Sequence, residues 1–396
     1  MLLSYIRPVW AEIDLDNLAY NITQIRSFIG QNVKIMAVVK SDAYGAGISG
    51  ILDTLLEHSV DMLGVALLDE AIAIREKKVH MPVLVFAYTP FEHSDLLVKY
   101  EISQTVYCRE QARAISLVAA GLRKKARIHI EIDTGMGRLG FLPTEESINA
   151  ILEIAKMPYL ELEGIYTHLP LSNERNAEGI KFTEDQFHAF CKVIKYLESK
   201  DVYIPLKHVC NSMATLYYRE MHMDMIRAGI ILYGSYPHFQ RVLPLKPVMS
   251  LKARIGSIKK LGPGSNVSYG RKYVTKRETT IATLPLGYGD GYTRLLTNKA
   301  HVLVKGQRAP VIGTICMDQC MIDITDIQGS CRIGEEVVLW GKQGSEEIAI
   351  EEIAQLACGF INYEYMVTVS RRVPRIYKKG EKAVKIVNGL LSLKMD

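Results

Sequence analysis

The stretch AVVKSDAYGAG, residues 37–47, places a lysine at the end of an apolar, β-branched run. Lys40 is followed at once by a turn of small residues that also carries Asp42 and Tyr44. A lysine that is removed from water and lies close to other cations has a lowered pKa and can form a Schiff base with an aldehyde. A lysine at a strand end also commonly extends its ammonium into solvent. This stretch alone therefore leaves both roles open for Lys40.

Other residues able to do chemistry also lie at or just beyond the ends of apolar runs. They are Arg138, His168, Asn211 with Ser212, and Arg227 with Gly229 and Ile230. Together with Lys40 they supply cations, an imidazole, a hydroxyl and glycine-flanked backbone N–H groups. If the ends of these runs meet, the residues form a site able to bind phosphate and to transfer protons.

Short apolar runs alternate with longer amphipathic segments from Lys34 onward. The predicted strands are 34–40, 62–66, 82–86, 103–107, 127–133, 162–168, 207–211 and 225–234. Thr144 and Thr183, each followed by two acidic residues, predict helix starts. Eight strand–helix units predict an α/β fold, a (β/α)8 TIM-type barrel with its site at the carboxyl ends of the strands. An open doubly wound sheet is disfavoured, because no GxGxxG follows the first strand.

The pattern changes after about residue 245. The segments 253–261, 279–287, 301–306, 309–318 and 336–341 read as strands punctuated by Gly and Pro, and only 346–357 looks helical. VWAEIDL (9–15) reads as a further strand, ahead of a helix that begins near Asp16. We therefore expect a barrel over 12–245 and a β-rich C-terminal domain over 246–396, with an N-terminal strand 1–11 packing on the latter.

Composition excludes several classes of protein. The 396 residues are 48% hydrophobic and 23% charged, with a formal net charge of +5 and scattered basic residues, which argues against nucleic-acid binding. The seven cysteines are odd in number and form no CxxC pair, so we expect no metal site and reduced thiols in the cytoplasm. We expect no membrane segment, since no apolar run approaches ~20 residues, and no signal peptide, since Arg7 and Pro8 interrupt the N-terminal run.

Several motifs together resemble the alanine racemases, which use pyridoxal 5′-phosphate. Besides AVVKSDAYGAG they are WAEIDLDNLAYN (10–21), EIDTGMGRLGF (131–141), GIYTH (164–168), HVCNSMA (208–214), RAGIILYG (227–234), SYGRKY (268–273), PLGYGDGY (285–292), GTICMDQ (313–319) and INYEY (361–365). The resemblance covers nearly the whole chain. It implies a cytosolic homodimer that interconverts L- and D-alanine and supplies D-alanine for peptidoglycan.

The resemblance implies two catalytic residues. Lys40 would bind the cofactor covalently and then act as the base for the D-isomer. Tyr269, contributed by the other subunit, would be the base for the L-isomer. Racemisation needs two such groups because one removes the proton and the other delivers one to the opposite face of Cα.

The resemblance also implies the binding residues. The cofactor phosphate would be held by the hydroxyls of Tyr44, Ser212 and Tyr363 and the N–H groups of Gly229 and Ile230. Arg227 would donate to the pyridine nitrogen, with His168 beside the ring and helping to hold Arg227. The substrate carboxylate would meet the Met317 N–H and Arg138. Tyr288 would lie at the substrate entrance, and Asp318 would orient its loop.

The sequence departs from the family pattern at a few positions. Relatives commonly have a lysine, often carbamylated, where this chain has Glu131, and our hypothesis is that Glu131 fixes Arg138 directly. Ala46 and the pair Leu169-Pro170 are also unusual. Cys316 reads as an apolar thiol, and His208 and His301 as structural residues.

Other functions remain open at this stage. The racemase domain of membrane-anchored serine racemases of vancomycin resistance is similar to the same family, and would place the chain as a cytoplasmic domain of a membrane protein. The bulk of Tyr363 favours alanine over serine. Decarboxylases of the same cofactor class need no SYG tyrosine, whereas Tyr269 supplies one. A non-catalytic pyridoxal-phosphate carrier would have the barrel alone.

Overall fold

The computed structural model describes residues 7–236, 241–359 and 361–391. The first six residues of the strand expected over 1–11 lie outside this range. The chain divides into two compact units. One contains Ile22–Ala43 and Leu55–Leu232; the other contains Met1–Asn21, Tyr44–Thr54 and Tyr233–Asp396.

The strands are numbered in chain order. They are β1 Val9–Asp14, β2 Lys34–Val38, β3 Met62–Val65, β4 Val83–Val85, β5 Ser103–Val106, β6 Ala126–Glu131, β7 Leu160–Tyr166, β8 Leu206–His208, β9 Met225–Ala228, β10 Met249–Arg254, β11 Ser257–Leu261, β12 Asn266–Val267, β13 Tyr273–Val274, β14 Thr279–Leu284, β15 His301–Val304, β16 Gln307–Ile312, β17 Cys320–Asp323, β18 Glu336–Gln343, β19 Glu346–Ile348, β20 Arg375–Lys379 and β21 Lys382–Val387.

The helices are numbered in the same way. They are α1 Leu15–Ile29, α2 Lys40–Tyr44, α3 Ile48–Glu57, α4 Leu68–Glu76, α5 Ser94–Lys99, α6 Arg109–Leu122, α7 Glu145–Ile154, α8 Ala177–Glu198, α9 Ser212–Tyr217, α10 Ile350–Leu356 and α11 Asn362–Thr368. None of the helices in the described ranges is long and apolar enough to cross a membrane.

The first unit contains the parallel barrel that the sequence predicts. The strand order is β8-β7-β6-β5-β4-β3-β2-β9, and every adjacent pair is parallel. The strands β3, β4, β5 and β9 are buried at every position and β2 and β6 at all but one, as parallel strands covered on both faces are. Apolar side chains from four strands fill part of the interior: Met36, Met62, Leu84 and Met225. The (β/α)8 class is confirmed.

Two predicted boundaries in this unit differ from the structure. Thr144 does cap α7, accepting a hydrogen bond from the Ser147 N–H at 3.4 Å. Thr183 does not begin a helix, because α8 already starts at Ala177 behind the cap Asn176, whose side chain accepts from the Gly179 N–H at 2.8 Å. The Thr183 hydroxyl instead donates to the Gly179 carbonyl inside the helix. The segment 225–234 is a strand only as far as Ala228, and Ile230–Tyr233 form a 3-10 turn.

The second unit is mostly β, as predicted. Its main sheet, in the described residues, runs β11-β14-β17-β16-β15-β18-β10-β1-β20-β21, with β19 paired to β18. The strand β1 lies between β10, which is antiparallel to it, and β20, which is parallel. The segment 346–357 is not one helix, since β19 precedes α10, and α11 was not predicted. The predicted strand 309–318 ends at Ile312, because Gly313 turns with φ +74°.

Candidate active site

Lys40 lies two residues beyond the carboxyl end of β2, at the start of a left-handed turn. Ser41, Asp42, Ala43 and Tyr44 all have φ between 51° and 56°. Each non-glycine residue in this conformation costs roughly 1–2 kcal/mol, so the turn must be held by its surroundings. The Glu70 carboxylate provides part of that support, accepting from the Ser41 N–H at 2.6 Å and from the Ala66 N–H at 2.9 Å.

The surroundings of Lys40 disfavour its charged form. Burial lowers the pKa of the Lys40 ammonium, and the positive charge of Arg138 lowers it further, while Glu70 opposes both. A lowered pKa raises the fraction of free amine near neutral pH, which is the form that acts as nucleophile or base. The charge of Arg138 therefore favours the free amine of Lys40, the form that can act as nucleophile or base.

Arg138 is presented by the loop that follows β6. The Asp133 carboxylate accepts from the N–H groups of Gly135, Met136 and Gly137 at 2.8–3.1 Å and fixes the turn. The loop then returns to the strand end, where the Phe141 N–H donates to the Glu131 carbonyl. Arg138 itself is exposed, so its side chain is free to meet a carboxylate.

Glu131 is buried at the end of β6. Burial raises the pKa of its carboxyl to about 7, although the Tyr166 hydroxyl and the charges of Arg138 and Arg227 pull it down. In the described residues Glu131 and Arg138 form no direct ion pair, and their charges interact at longer range. The arrangement differs in this respect from the direct contact that the sequence suggested.

Arg227 is buried on β9 and its guanidinium is held from several sides. Nη1 donates to the Nδ1 and the carbonyl of His208, both at 2.9 Å. Nη2 donates to the carbonyls of Thr167 and Val209 and to His168 Nδ1, the last at 3.4 Å. All the side-chain hydrogen bonds that Arg227 makes in the described chain come from these two nitrogens, which leaves the Nε–H available to a further acceptor.

His168 is a neutral imidazole. Burial lowers its pKa far below the usual range, and the charges of Arg227, Arg138 and Lys40 add to the effect. Because Arg227 can only donate, His168 Nδ1 must accept and Nε2 must carry the hydrogen.

Ser212, Gly229 and Ile230 form a compact set of donors on this unit. Ser212 is the first residue of α9, and its oxygen accepts from the Gly229 N–H at 2.9 Å. Its own O–H remains able to donate. Ile230 begins the 3-10 turn, and the first N–H of such a turn has no acceptor within it. The Ser212 O–H and the Ile230 N–H suit an anionic ligand.

Tyr44 and Tyr363 lie together on the other unit. Their ring centroids are 6.1 Å apart in an edge-to-face arrangement, and Tyr44 also packs on Tyr233 at 4.8 Å. Burial raises the pKa of both hydroxyls, so both are protonated donors. Gly45 next to them approaches the Met366 carbonyl so closely that a Cβ would lie 2.1 Å from its oxygen, which excludes any larger residue.

The remaining predicted site residues are exposed on the second unit. The exposed fractions are 72% for Tyr269, 51% for Met317 and 41% for Tyr288. The loop 313–319 links them: the Thr314 hydroxyl donates to the Tyr269 carbonyl, and the Tyr288 N–H donates to the Cys316 carbonyl. The side chains of Tyr269, Met317 and Tyr288 are therefore exposed to solvent, while hydrogen bonds connect the backbone segments that carry them.

Asp318 belongs to an ion network on the same unit. Its carboxylate accepts from Arg372 Nη2 at 2.6 Å, and Arg372 lies 3.5 Å from the buried carboxylate of Asp290, which also pairs with Arg7. The network anchors the loop that carries Met317. The orienting role of Asp318 stays a prediction. Cys316 is half-buried, with its sulfur 3.4 Å from the Ser268 hydroxyl oxygen.

Sequence analysis missed several residues around Arg227. The sequence predicts a structural role for His208, yet it bonds directly to the guanidinium. The sequence prediction also omits three neighbours: His129, which bonds to His208; Glu163, which bonds to His129; and Tyr166, whose ring centroid lies 5.0 Å from the guanidinium carbon of Arg227. The available signal was the presence of polar residues at inward positions of β6, β7 and β8, where a barrel core is normally apolar. His301 lies on β15 and contributes no group to this set.

These features define a class of protein: a parallel barrel with a lysine just beyond its first strand, whose pKa is lowered by burial and by the charge of Arg138. Family models match both parts of the chain, "Alanine racemase, N-terminal domain" over residues 13–237 and "Alanine racemase, C-terminal domain" over 248–377. The chain belongs to the alanine racemase family.

Individual relatives agree. An alanine racemase of Clostridium perfringens is 46% identical over 97% of this chain and 98% of its own length. Among solved structures, an alanine racemase of Clostridium difficile matches with a TM-score of 0.92 at 40% identity, covering 98% of this chain and 100% of that one. The Bacillus anthracis alanine racemase, solved with bound L-Ala-P, matches with a TM-score of 0.91 at 34% identity, covering 98% and 99%.

Proposed function

We propose that this protein is an alanine racemase that uses pyridoxal 5′-phosphate to interconvert L- and D-alanine by two-base proton transfer, supplying D-alanine for peptidoglycan. The observation that carries the proposal is the Lys40 amine, whose pKa is lowered by burial and by Arg138 beyond the first barrel strand. The relatives named above are alanine racemases, and they match this chain over nearly their whole length. Nothing observed favours the serine racemase, decarboxylase or carrier alternatives.

The donors of this chain fit the proposed cofactor. The Ser212 hydroxyl, the Ile230 N–H, and the protonated hydroxyls of Tyr44 and Tyr363 suit a phosphate. The Gly229 N–H would join them by exchanging its bond to the Ser212 oxygen for one to the phosphate. The unused Nε–H of Arg227 suits a ring nitrogen, and its guanidinium does not give up a proton to it. When bound, pyridoxal 5′-phosphate supplies an aldehyde that links to amines and a conjugated ring that accepts the electron pair left when the Cα–H bond breaks.

The protein's own residues move the protons. We assign Lys40 Nζ as the acceptor of the Cα proton of D-alanine, and the Tyr269 hydroxyl as the acceptor on the opposite face for L-alanine. Arg138 and the Met317 N–H bind the substrate carboxylate and orient Cα. His168, neutral and fixed by Arg227, packs beside the ring, while Tyr288 lines the substrate entrance. Glu131 tunes Arg138 through its charge.

We further propose a homodimer in which Tyr269 and Met317 serve the site of the partner subunit. The exposure of Tyr269, Tyr288 and Met317 supports this, because catalytic side chains seldom work in bulk water. The cytoplasm, where the seven cysteines stay reduced, is the proposed location. We also retain 12–245 and 246–396 as the proposed domain division.

The test is chiral chromatography of L-alanine and L-serine, incubated in parallel with the protein and pyridoxal 5′-phosphate over a range of substrate concentrations. We expect D-alanine to form with a much higher kcat/KM than D-serine, and a Lys40→Ala variant to form neither. Equal or greater efficiency with serine would contradict the proposed substrate. Absence of racemisation with both would contradict the proposed function.

A further inference from the structure

A line of buried hydrogen bonds leads from Arg227 through the interior of the barrel. His208 Nε2 lies 3.0 Å from His129 Nδ1, and His129 Nε2 lies 3.1 Å from the Glu163 carboxylate. With the 2.9 Å bond between Arg227 and His208, four side chains from the adjacent strands β6, β7 and β8 and from β9 form one continuous chain. Both histidines are completely buried.

The chemistry of the two ends fixes the direction of every bond. Arg227 can only donate, so His208 Nδ1 accepts, and its remaining hydrogen must be on Nε2. That hydrogen is donated to His129 Nδ1, so the hydrogen of His129 is on Nε2 and is donated to Glu163. Because a carboxylate can only accept, the bond from His129 to Glu163 also has the direction that its acceptor requires. Both histidines are therefore neutral and share the Nε2–H tautomer.

The charges around the chain agree with this assignment. Burial lowers the pKa of His208 far below its usual range, helped by the charge of Arg227. Burial acts to raise the pKa of Glu163, but hydrogen bonds from His129 and Ser103 and the nearby charge of Arg127 hold it below its usual range. Glu163 is thus an anion at neutral pH, and it is the fixed acceptor of the chain.

The backbone is shaped to make room for this chain. The register of β6 and β7 shifts between Ile128 and His129, so that Glu163 has no partner across the ladder and forms a bulge. Its neighbour Gly164 faces His129, and a Cβ there would lie 2.2 Å from the ring nitrogen Nδ1. The bulge at Glu163 and the adjacent Gly164 together provide the space that the His129 ring occupies.

We propose that Glu163 and His129 are positioning residues for Arg227: through the tautomer of His208, they hold the guanidinium in the orientation in which its Nε–H faces the cofactor ring. This inference rests on the proposed function. If the Glu163 acceptor is lost, His129 can adopt the Nδ1–H tautomer and forces the same change on His208. The new N–H of His208 then opposes an N–H of Arg227. The three backbone carbonyls that also bind Arg227 preserve the fold.

The test compares three variants. Glu163→Leu removes the acceptor, Glu163→Gln keeps an acceptor oxygen, and Arg127→Gln removes only the charge 3.6 Å from Glu163. Ring ¹⁵N NMR of the full chain with labelled histidine, with and without added pyridoxal 5′-phosphate, reports the tautomers, and His129→Gln and His208→Gln assign the signals. Visible absorption of the bound cofactor and the kinetics of alanine racemisation are measured in parallel.

We expect the wild type, Glu163→Gln and Arg127→Gln to show both histidines as Nε2–H at neutral pH. Glu163→Leu should lose this state, shift the cofactor absorption and lower kcat about tenfold, the value of one hydrogen bond, with KM unchanged. An imidazolium or Nδ1–H histidine in the wild type overturns the inference even if Glu163→Leu fails to fold. Unchanged tautomers in Glu163→Leu also overturn it. Lack of cofactor binding by a wild type with the expected tautomers contradicts only the proposed function.

Discussion

At the scale of single residues, the reactivity of Lys40 depends on partners that are distant in sequence. The sequence places the lysine at a strand end, but its lowered pKa comes from burial and from Arg138, which lies on the loop after β6. The opposing influence, Glu70, belongs to α4. Sequence analysis could identify Lys40 and Arg138 separately, but a pKa depends on distances and burial, which only the fold provides.

Two substitutions should move the pKa of Lys40 in opposite directions. Arg138→Gln removes a positive neighbour and should raise it toward the ordinary lysine value; Glu70→Gln removes a negative neighbour and should lower it. The pKa can be measured by NMR titration of ¹³C-methylated lysine in protein without added pyridoxal 5′-phosphate, with Lys40→Ala identifying the signal. Shifts of the same sign in both variants would contradict this account.

Glu131 should make stability depend on pH. Its pKa, raised from 4.5 to about 7, means that the folded state binds more protons than the unfolded state between those values. The free energy of unfolding should therefore fall as pH rises through this window, by roughly 3 kcal/mol, and level off above pH 7. Tyr166, Arg138, Arg227 and Asp133 are the charged or titratable groups that act on it.

Urea denaturation at pH 5 and pH 8 measures this contribution. Glu131→Gln should lose that part of the slope, whereas Glu161→Gln, on exposed β7 surface, should keep it. Glu131→Gln should also weaken alanine binding and turnover, since Arg138 loses a nearby anion. An unchanged slope in Glu131→Gln would show that the carboxyl is not buried as described.

At the scale of elements, local signals predicted most of the strands and some helix ends. Alternating apolar runs located β2 to β9 within a few residues, and Thr144 was recognised as a cap. The prediction that Thr183 begins a helix is wrong, because threonine also occurs inside helices. Here the Thr183 hydroxyl donates to the Gly179 carbonyl within α8. The bulge at Glu163 could not be predicted, because it depends on the pairing of β6 with β7 and on the space that His129 occupies.

Gly164 offers a test of that packing. Gly164→Ala would place a Cβ 2.2 Å from His129 Nδ1 and should lower the free energy of unfolding by about 1–3 kcal/mol. Gly121→Ala, in α6 with no atom within 4 Å of the added Cβ, should raise it by up to about 1 kcal/mol. Chemical denaturation of both variants measures the difference. Equal effects would mean that the space beside His129 is not restricted.

At the scale of the whole molecule, the exposed Tyr269 is the feature with the largest functional meaning. The family resemblance, rather than any local pattern, assigned it to the partner's site, since exposure can only be seen in a folded chain. The structure adds that the Tyr269 carbonyl accepts a hydrogen bond from the Thr314 hydroxyl, which ties its turn to the loop 313–319.

Mixed dimers test whether active sites are shared. Lys40→Ala and Tyr269→Phe chains should each be inactive alone, and co-expression in equal amounts should restore about one quarter of wild-type activity. Half of the dimers are then mixed, and one of the two sites in each has both residues intact. If Lys40 and Tyr269 acted within one chain, mixing would restore nothing. Chiral chromatography provides the assay.

The position of β1 in the sheet determines how long one of its edges stays unpaired during synthesis. Residues 9–14 are made about 360 residues before their parallel neighbour β20. At about 5–20 residues per second this delay is on the order of 20–70 s. During that time an apolar strand has an unpaired edge, the type of segment that invites mispairing. We therefore expect β1 of the nascent chain to need protection until β20 has been made.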